Sequence, residues 1–142
     1  KPGPDLNPSE TQRRYSSVWD NDAPGTGYAR SMLDSKQVWC AGKNSGKGDW
    51  MEIDLGHMRR IRGIIVQGGS SPAILRWVTS YRASYSADGI NFVDADGVFG
   101  NFDAETKVRH LLRRPVNARK VRIVALEWHR HICMRAGIMT CR

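Results

Sequence analysis

The sequence is poor in cysteine, and its three cysteines, Cys40, Cys133 and Cys141, allow at most one internal disulfide. No CxxC pair is present, and no cysteine stands at zinc-like spacing from a histidine. No run approaches the length of about 18 apolar residues that a membrane-crossing helix needs, so no transmembrane segment is expected. No charged-then-apolar N-terminal segment is seen either, so the chain reads as lacking a signal peptide, with a longer precursor left open. Aromatic residues are only 8% of the chain, too few for the stacking platforms of single-strand nucleic-acid binders. Catalytic signatures are missing as well. There is no GxSxG elbow and no HExxH helix. Gly25-Thr26-Gly27 runs on to Arg30 where a dinucleotide fingerprint needs its third glycine. The expectation is therefore a protein that is not an enzyme and uses no cofactor and no metal.

Charge is plentiful but uneven. The chain carries 22 Lys+Arg against 14 Asp+Glu, a formal net charge of +8. Residues 59–85 hold five bases and no acid, residues 86–105 five acids and no base, and residues 106–142 ten bases against Glu127 alone. Such asymmetry fits an anionic partner or a solvated surface. Three smaller clusters admit bland readings. His129-Arg130-His131 places two imidazoles on one strand face but lacks a third metal ligand. Asp20-Asn21-Asp22 gathers oxygens without a calcium-loop spacing and reads as a polar loop tip. Cys133 lies in an apolar run and reads as a buried structural thiol.

Period-two patterning is what the chain does have. Met51, Ile53 and Leu55 alternate with acids, Tyr81, Ala83 and Tyr85 with polar residues, and Ile64-Ile65-Val66 reads as a doubly buried strand. Ala87-Asp88-Gly89, Asp96-Gly97 and the glycine-rich stretches at 42–48 and 68–72 supply turns. Strands are expected near 28–33, 38–40, 50–55, 60–67, 77–86, 90–94, 107–112, 119–126 and 131–139, an all-β sandwich or barrel. Residues 1–10, with Pro2, Pro4 and Pro8, read as an extended lead-in, and 11–142 as one domain. Two features stand out in the loops. Trp19 sits in an irregular polar stretch, and Ile74-Leu75 follows Ser70-Ser71-Pro72-Ala73 with Arg76 next. Bulky apolar residues at a loop tip are either tucked under the loop or kept for a partner such as a membrane interface.

Several segments in order resemble one family. They are Trp50-Met-Glu-Ile-Asp-Leu-Gly56, Arg62-Gly-Ile-Ile-Val-Gln-Gly68, Trp77-Val-Thr-Ser-Tyr81, Tyr85-Ser-Ala-Asp-Gly-Ile-Asn-Phe92, Phe99-Gly-Asn101, Pro115-Val-Asn-Ala-Arg119, Val121-Arg-Ile123, Trp128 and Ile132-Cys-Met-Arg135. Together they resemble the discoidin domain, also called the coagulation factor V/VIII C-type domain, over about residues 11–141. The resemblance implies a jelly-roll β-sandwich of about eight strands with ligand-binding spike loops at one end. It implies a non-catalytic adhesion module, secreted or on the cell surface, whose partner is an anionic membrane lipid, a cell-surface glycan or a protein. Carried over by position, the first spike covers 15–24, the second 41–49 and the third 69–76. The ligand-binding residues so implied are Tyr15, Trp19, Asp20, Asn21, Lys43, Asn44, Lys47, Ser71, Ile74, Leu75 and Arg76. In the lipid version Trp19, Ile74 and Leu75 enter the interface, and Arg13, Arg14, Lys43, Lys47 and Arg76 face head groups. In the sugar version a ring stacks on Trp19 or Tyr15, with Asn44 and Asp20 on its hydroxyls. Asn44 stands where relatives that hold a peptide's arginine have an acid, so arginine-tail binding is not supported. The family's closing cysteine corresponds to Cys141, whose usual partner, at the domain start, has no counterpart here.

Overall fold

A computed structural model describes residues 1–70 and 74–142. Among these residues nine strands are present: β1 Pro2–Leu6, β2 Arg13–Tyr15, β3 Trp39–Cys40, β4 Trp50–Gln67, β5 Gly69–Ser70, β6 Leu75–Ser86, β7 Val93–Phe99, β8 Val108–His129 and β9 Cys133–Cys141. All the pairings are antiparallel. The fold is a jelly-roll β-sandwich, and its two long strands bend to serve both layers. The first half of β4 pairs with the second half of β8, and there β2 and β6 extend the layer. After the bend, β4 pairs with β9 and with the first half of β8. The bend falls between Asp54 and Arg59, where the register slips. Gly56 makes it possible, because its φ of +84° is one that a side chain resists.

The period-two residues fill the space between the layers. Met51, Ile53, Ile64, Val66, Tyr81, Val121, Ile123 and Ile138 form one cluster, each fully or almost fully buried. Ile65 is buried on the opposite face, as its place in a continuous apolar run predicts. Residues 1–6 do more than lead in: β1 pairs with β9 along its length.

Several expected boundaries change. Expected strands at 50–55 and 60–67 are one bent strand, and so are those at 107–112 and 119–126. The strand expected at 90–94 lies at 93–99, so Asp96-Gly97 falls inside β7 rather than in a turn. No strand forms at 28–33. Side chains take the backbone groups that a ladder would use. Glu10 accepts from the Ser31 and Met32 amides, Asn7 accepts from the Leu33 amide, and Arg13 donates to the Ser31 carbonyl at 2.6 Å.

Cys40 and Cys133 stand directly opposite in the β3–β9 pair and form a disulfide, so Cys133 is not the free thiol that its surroundings suggested. Cys141 is free. No helix among the described residues is long and apolar enough to cross a membrane.

Candidate ligand-binding site

The first spike leaves β2 at Tyr15, which is fixed from two sides. Its ring stacks on buried Trp39 with centroids 5.3 Å apart, and its hydroxyl lies 2.7 Å from Ser31 Oγ. The Trp39 indole in turn donates to the Ser17 carbonyl at 2.9 Å. Tyr15 therefore buttresses the spike and has little left to offer a ligand.

One carboxylate joins the first and second spikes. Asp49 Oδ1 accepts from the Ser16 and Ser17 hydroxyls at 2.5 and 2.9 Å, and its Oδ2 accepts from the Gly46 amide at 3.0 Å. Ser17 Oγ also accepts from the Gly42 amide at 2.9 Å. Burial alone would raise the Asp49 carboxyl, but the donors from Ser16, Gly46 and Ser17 outweigh it and hold it below the usual carboxylate range.

The tip of the first spike is a short 3-10 turn, Trp19–Asn21, with Asp20 and Asn21 at φ of +60° and +52°. Asp and Asn tolerate this left-handed geometry better than most residues. Asp22 turns inward, accepting from the Tyr28 amide at 2.9 Å. A side chain on Gly27 would begin only 2.1 Å from that same carboxylate oxygen, so the close turn needs glycine. Asp22 thus closes a loop, and among the described residues no His, Cys, Asp and Glu cluster suited to a metal is found.

Trp19 does not project freely. Its ring and that of His131 meet edge to face, with centroids 5.1 Å apart at 81°. The two rings, with Tyr28, Ile74, Arg76 and Arg130, line a cleft of about 330 Å³ whose floor includes Cys40. His131 is placed by the turn between β8 and β9. Its Nε2 lies 2.7 Å from the Ala41 carbonyl, at the base of the second spike. Arg130 sits at the corner with φ of +69°, and His129 stacks on Trp77 at 4.1 Å. Beside the cleft, Ile74 and Leu75 remain 43% and 48% exposed.

Trp19, Ile74 and Arg76 are therefore brought together from two distant segments. Lys43, Asn44 and Lys47 are exposed on the second spike, outside the cleft, and Asp20 and Asn21 are exposed on the tip. Ser71 lies outside the described residues. Arg13 is corrected: it is 1% exposed, and its guanidinium donates to the carbonyls of Pro8, Ser31 and Ala136, so it cannot face a head group. The Arg14 side chain is 68% exposed but lies 3.6 Å from Glu52. Tyr28, Arg130 and His131 were not foreseen as site residues. His129-Arg130-His131 was visible in the sequence, but only the β8–β9 turn shows that it faces Trp19.

The F5/8 type C domain model matches residues 12–138. Rat lactadherin is 33% identical over 110 residues, which is 73% of this chain and 26% of that protein. Human retinoschisin is 32% identical over 145 aligned positions, 95% of this chain and 60% of that protein. The chain thus spans only part of the relatives it matches. Among solved structures, discoidin II of Dictyostelium discoideum superposes with a TM-score of 0.77 at 22% identity, over 90% of this chain and 53% of that one. A family 32 carbohydrate-binding module of Clostridium perfringens in complex with galactose superposes with a TM-score of 0.71 at 12% identity, over 95% of this chain and 98% of that one. At these identities the two superpositions speak to fold alone.

Proposed function

The chain belongs to the F5/8 type C (discoidin) domain family, and from that premise we propose that it is a non-catalytic recognition module that docks on anionic phospholipid membranes by its spike end. The observation that carries this reading is the half-exposure of Ile74 and Leu75 beside a cleft rimmed by Arg76 and Arg130. Full burial of such a side chain is worth roughly 1.5–3 kcal/mol, so completing a half-buried one adds about 1 kcal/mol. Each nearby base adds about 1 kcal/mol at an anionic surface. Lys43 and Lys47 extend that basic rim. Among the three spike acids, Asp22 and Asp49 are held by internal hydrogen bonds and only Asp20 is exposed at the tip. The Cys40–Cys133 disulfide supports an oxidising, extracellular setting.

The test is a vesicle titration. Binding to phosphatidylserine-containing vesicles is expected at about 0.1 M salt, with marked weakening at about 0.5 M and little binding to phosphatidylcholine alone. Equal binding to both compositions, or to neither, contradicts the proposal.

A second reading rests on the cleft itself. Its volume of about 330 Å³ and its Trp19 and Tyr28 rings suit a single sugar, with Arg130 at its rim to meet hydroxyls. Saturable binding to one glycan, lost in Trp19→Ala and insensitive to vesicle charge, would favour this reading over the lipid one. Capture of a protein partner that survives lipid extraction and excess sugar would favour a protein-binding module over both.

A further inference from the structure

A second opening shares no lining residue with the spike-end cleft. It is a groove of about 900 Å³ between β6–β7 and the first half of β8, toward the end of β6 remote from Trp77. Ala83, Ala95, Val98, Leu112 and Val116 give it apolar walls. At its margin Val93 and Leu111 are left 73% and 58% exposed. Tyr81 and Tyr85 also line it, and neither phenol hydroxyl has a hydrogen-bond partner among the described residues. Both rings are buried, which pushes both phenols up and keeps them neutral donors. Both hydroxyls are themselves buried, so these two rings serve the groove as wall.

The rim carries charges of both signs, and they differ in what already holds them. Four charged side chains line the groove: Asp88, Asp94, Arg113 and Arg114. Asp88 already accepts from the Ile90 and Asn91 amides and the Asn91 side chain. Asp94 accepts from the Ser84 hydroxyl and faces Arg82 at 3.7 Å. Arg113 and Arg114 are exposed and make no hydrogen bond or ion pair among the described residues. Arg113 and Arg114 are thus the two rim charges without a partner among the described residues, and an anionic head group is what they can pair.

We propose that this groove binds a long-chain fatty acid, its chain along the apolar walls and its carboxylate on Arg113 and Arg114. The volume lies within the range of about 300–1,000 Å³ usual for small-ligand sites. The site is independent of the spike end and stands whether or not that end binds membranes.

The experiment is displacement of fluorescent cis-parinaric acid from the intact chain by oleate and by oleyl alcohol. Wild type is expected to bind one parinarate per chain saturably, with oleate displacing it more strongly than the alcohol. Ala95→Phe, which fills the groove, and Val93→Asp, at its exposed rim, should each weaken oleate by about tenfold or more. Val93→Asp alters a solvent-facing residue, so the test survives if Ala95→Phe fails to fold. The double variant Arg113→Gln/Arg114→Gln should weaken oleate by about tenfold and leave the alcohol unchanged. The proposal is overturned by an absence of saturable parinarate binding. It is equally overturned if Val93→Asp binds oleate as wild type does, or if the arginine variant loses oleate and alcohol alike or neither.

Discussion

The rings of Trp19 and His131 meet edge to face, with centroids 5.1 Å apart at 81°, joining the first spike to the turn between β8 and β9. The indole also covers the cluster of Val38 and the Cys40–Cys133 disulfide. Trp19 is therefore both a wall of the cleft and a lid on a small core. Trp19→Ala should weaken binding to phosphatidylserine vesicles by about tenfold or more, against a stability loss of about 1–2 kcal/mol. Vesicle co-sedimentation beside urea unfolding separates the two effects. Trp19→Phe, which keeps an aromatic wall, should recover most of the binding.

Asp49 makes spike geometry sensitive to acid. Its folded pKa lies below its unfolded value of about 3.9. Its contribution is thus fully present above that value and is lost as pH falls through the folded pKa. Asp49→Asn should be less stable than wild type at pH 7, and the gap should shrink as pH falls below about 3.9. Thermal melts of both proteins across pH 2.5–7 check this, and the difference between them cancels the other carboxylates.

Arg13 is a structural cation. Among the described residues it has no carboxylate partner at hydrogen-bond distance. Instead its guanidinium spans the Pro8, Ser31 and Ala136 carbonyls, and burial pulls its pKa down to about 10. Arg13→Met removes the guanidinium donors from those carbonyls, of which only Ser31's is shown to keep a backbone donor, the Ala136 amide at 2.9 Å, and should cost about 3 kcal/mol. Arg13→Lys, with a single ammonium, should recover only part of it. Denaturant titration measures both, and a loss under about 1 kcal/mol for Arg13→Met would show the carbonyls to be satisfied otherwise.

The disulfide closes a sequence separation of 93 residues beneath the cleft. Cys40→Ser/Cys133→Ser should lose about 2–5 kcal/mol, and vesicle binding should fall with it as Trp19 and His131 lose their floor. Cys141→Ser should change neither, since that cysteine is free.

Much of the fold was legible in the sequence, because period two survives where one strand face carries polar side chains, even buried ones such as Glu52 and Ser84. Met51-Ile53 and Tyr81-Ala83-Tyr85 point inward as their alternation requires. What misled was local context. Residues 28–33 look strand-like, but Glu10, Asn7 and Arg13, distant in sequence, take their backbone groups. The bends in β4 and β8 look like chain breaks in the sequence, because Gly56 in the one and Pro115 in the other are turn residues. At the site, Trp19, Ile74 and Arg76 were legible as apolar and basic loop residues. Their neighbours Tyr28, Arg130 and His131 were not, since only strand pairing brings the His129–His131 turn against the first spike. Nor did the sequence show that Tyr15 and Arg13 are consumed by packing. The +8 charge had suggested a broad anionic partner. The fold divides it between spike residues, buried structural arginines and a separate groove.

The central claim is that the spike end, rather than another surface, meets the membrane. An environment-sensitive fluorophore placed by Leu75→Cys on a Cys141→Ser background reports the spike end. The same label placed by Met58→Cys, at the bend of β4, reports a residue 56% exposed and remote in the fold. On phosphatidylserine vesicles the account predicts a blue shift for the label at 75 and none at 58, and no shift at either on phosphatidylcholine alone. A shift at 58 with none at 75 would contradict it.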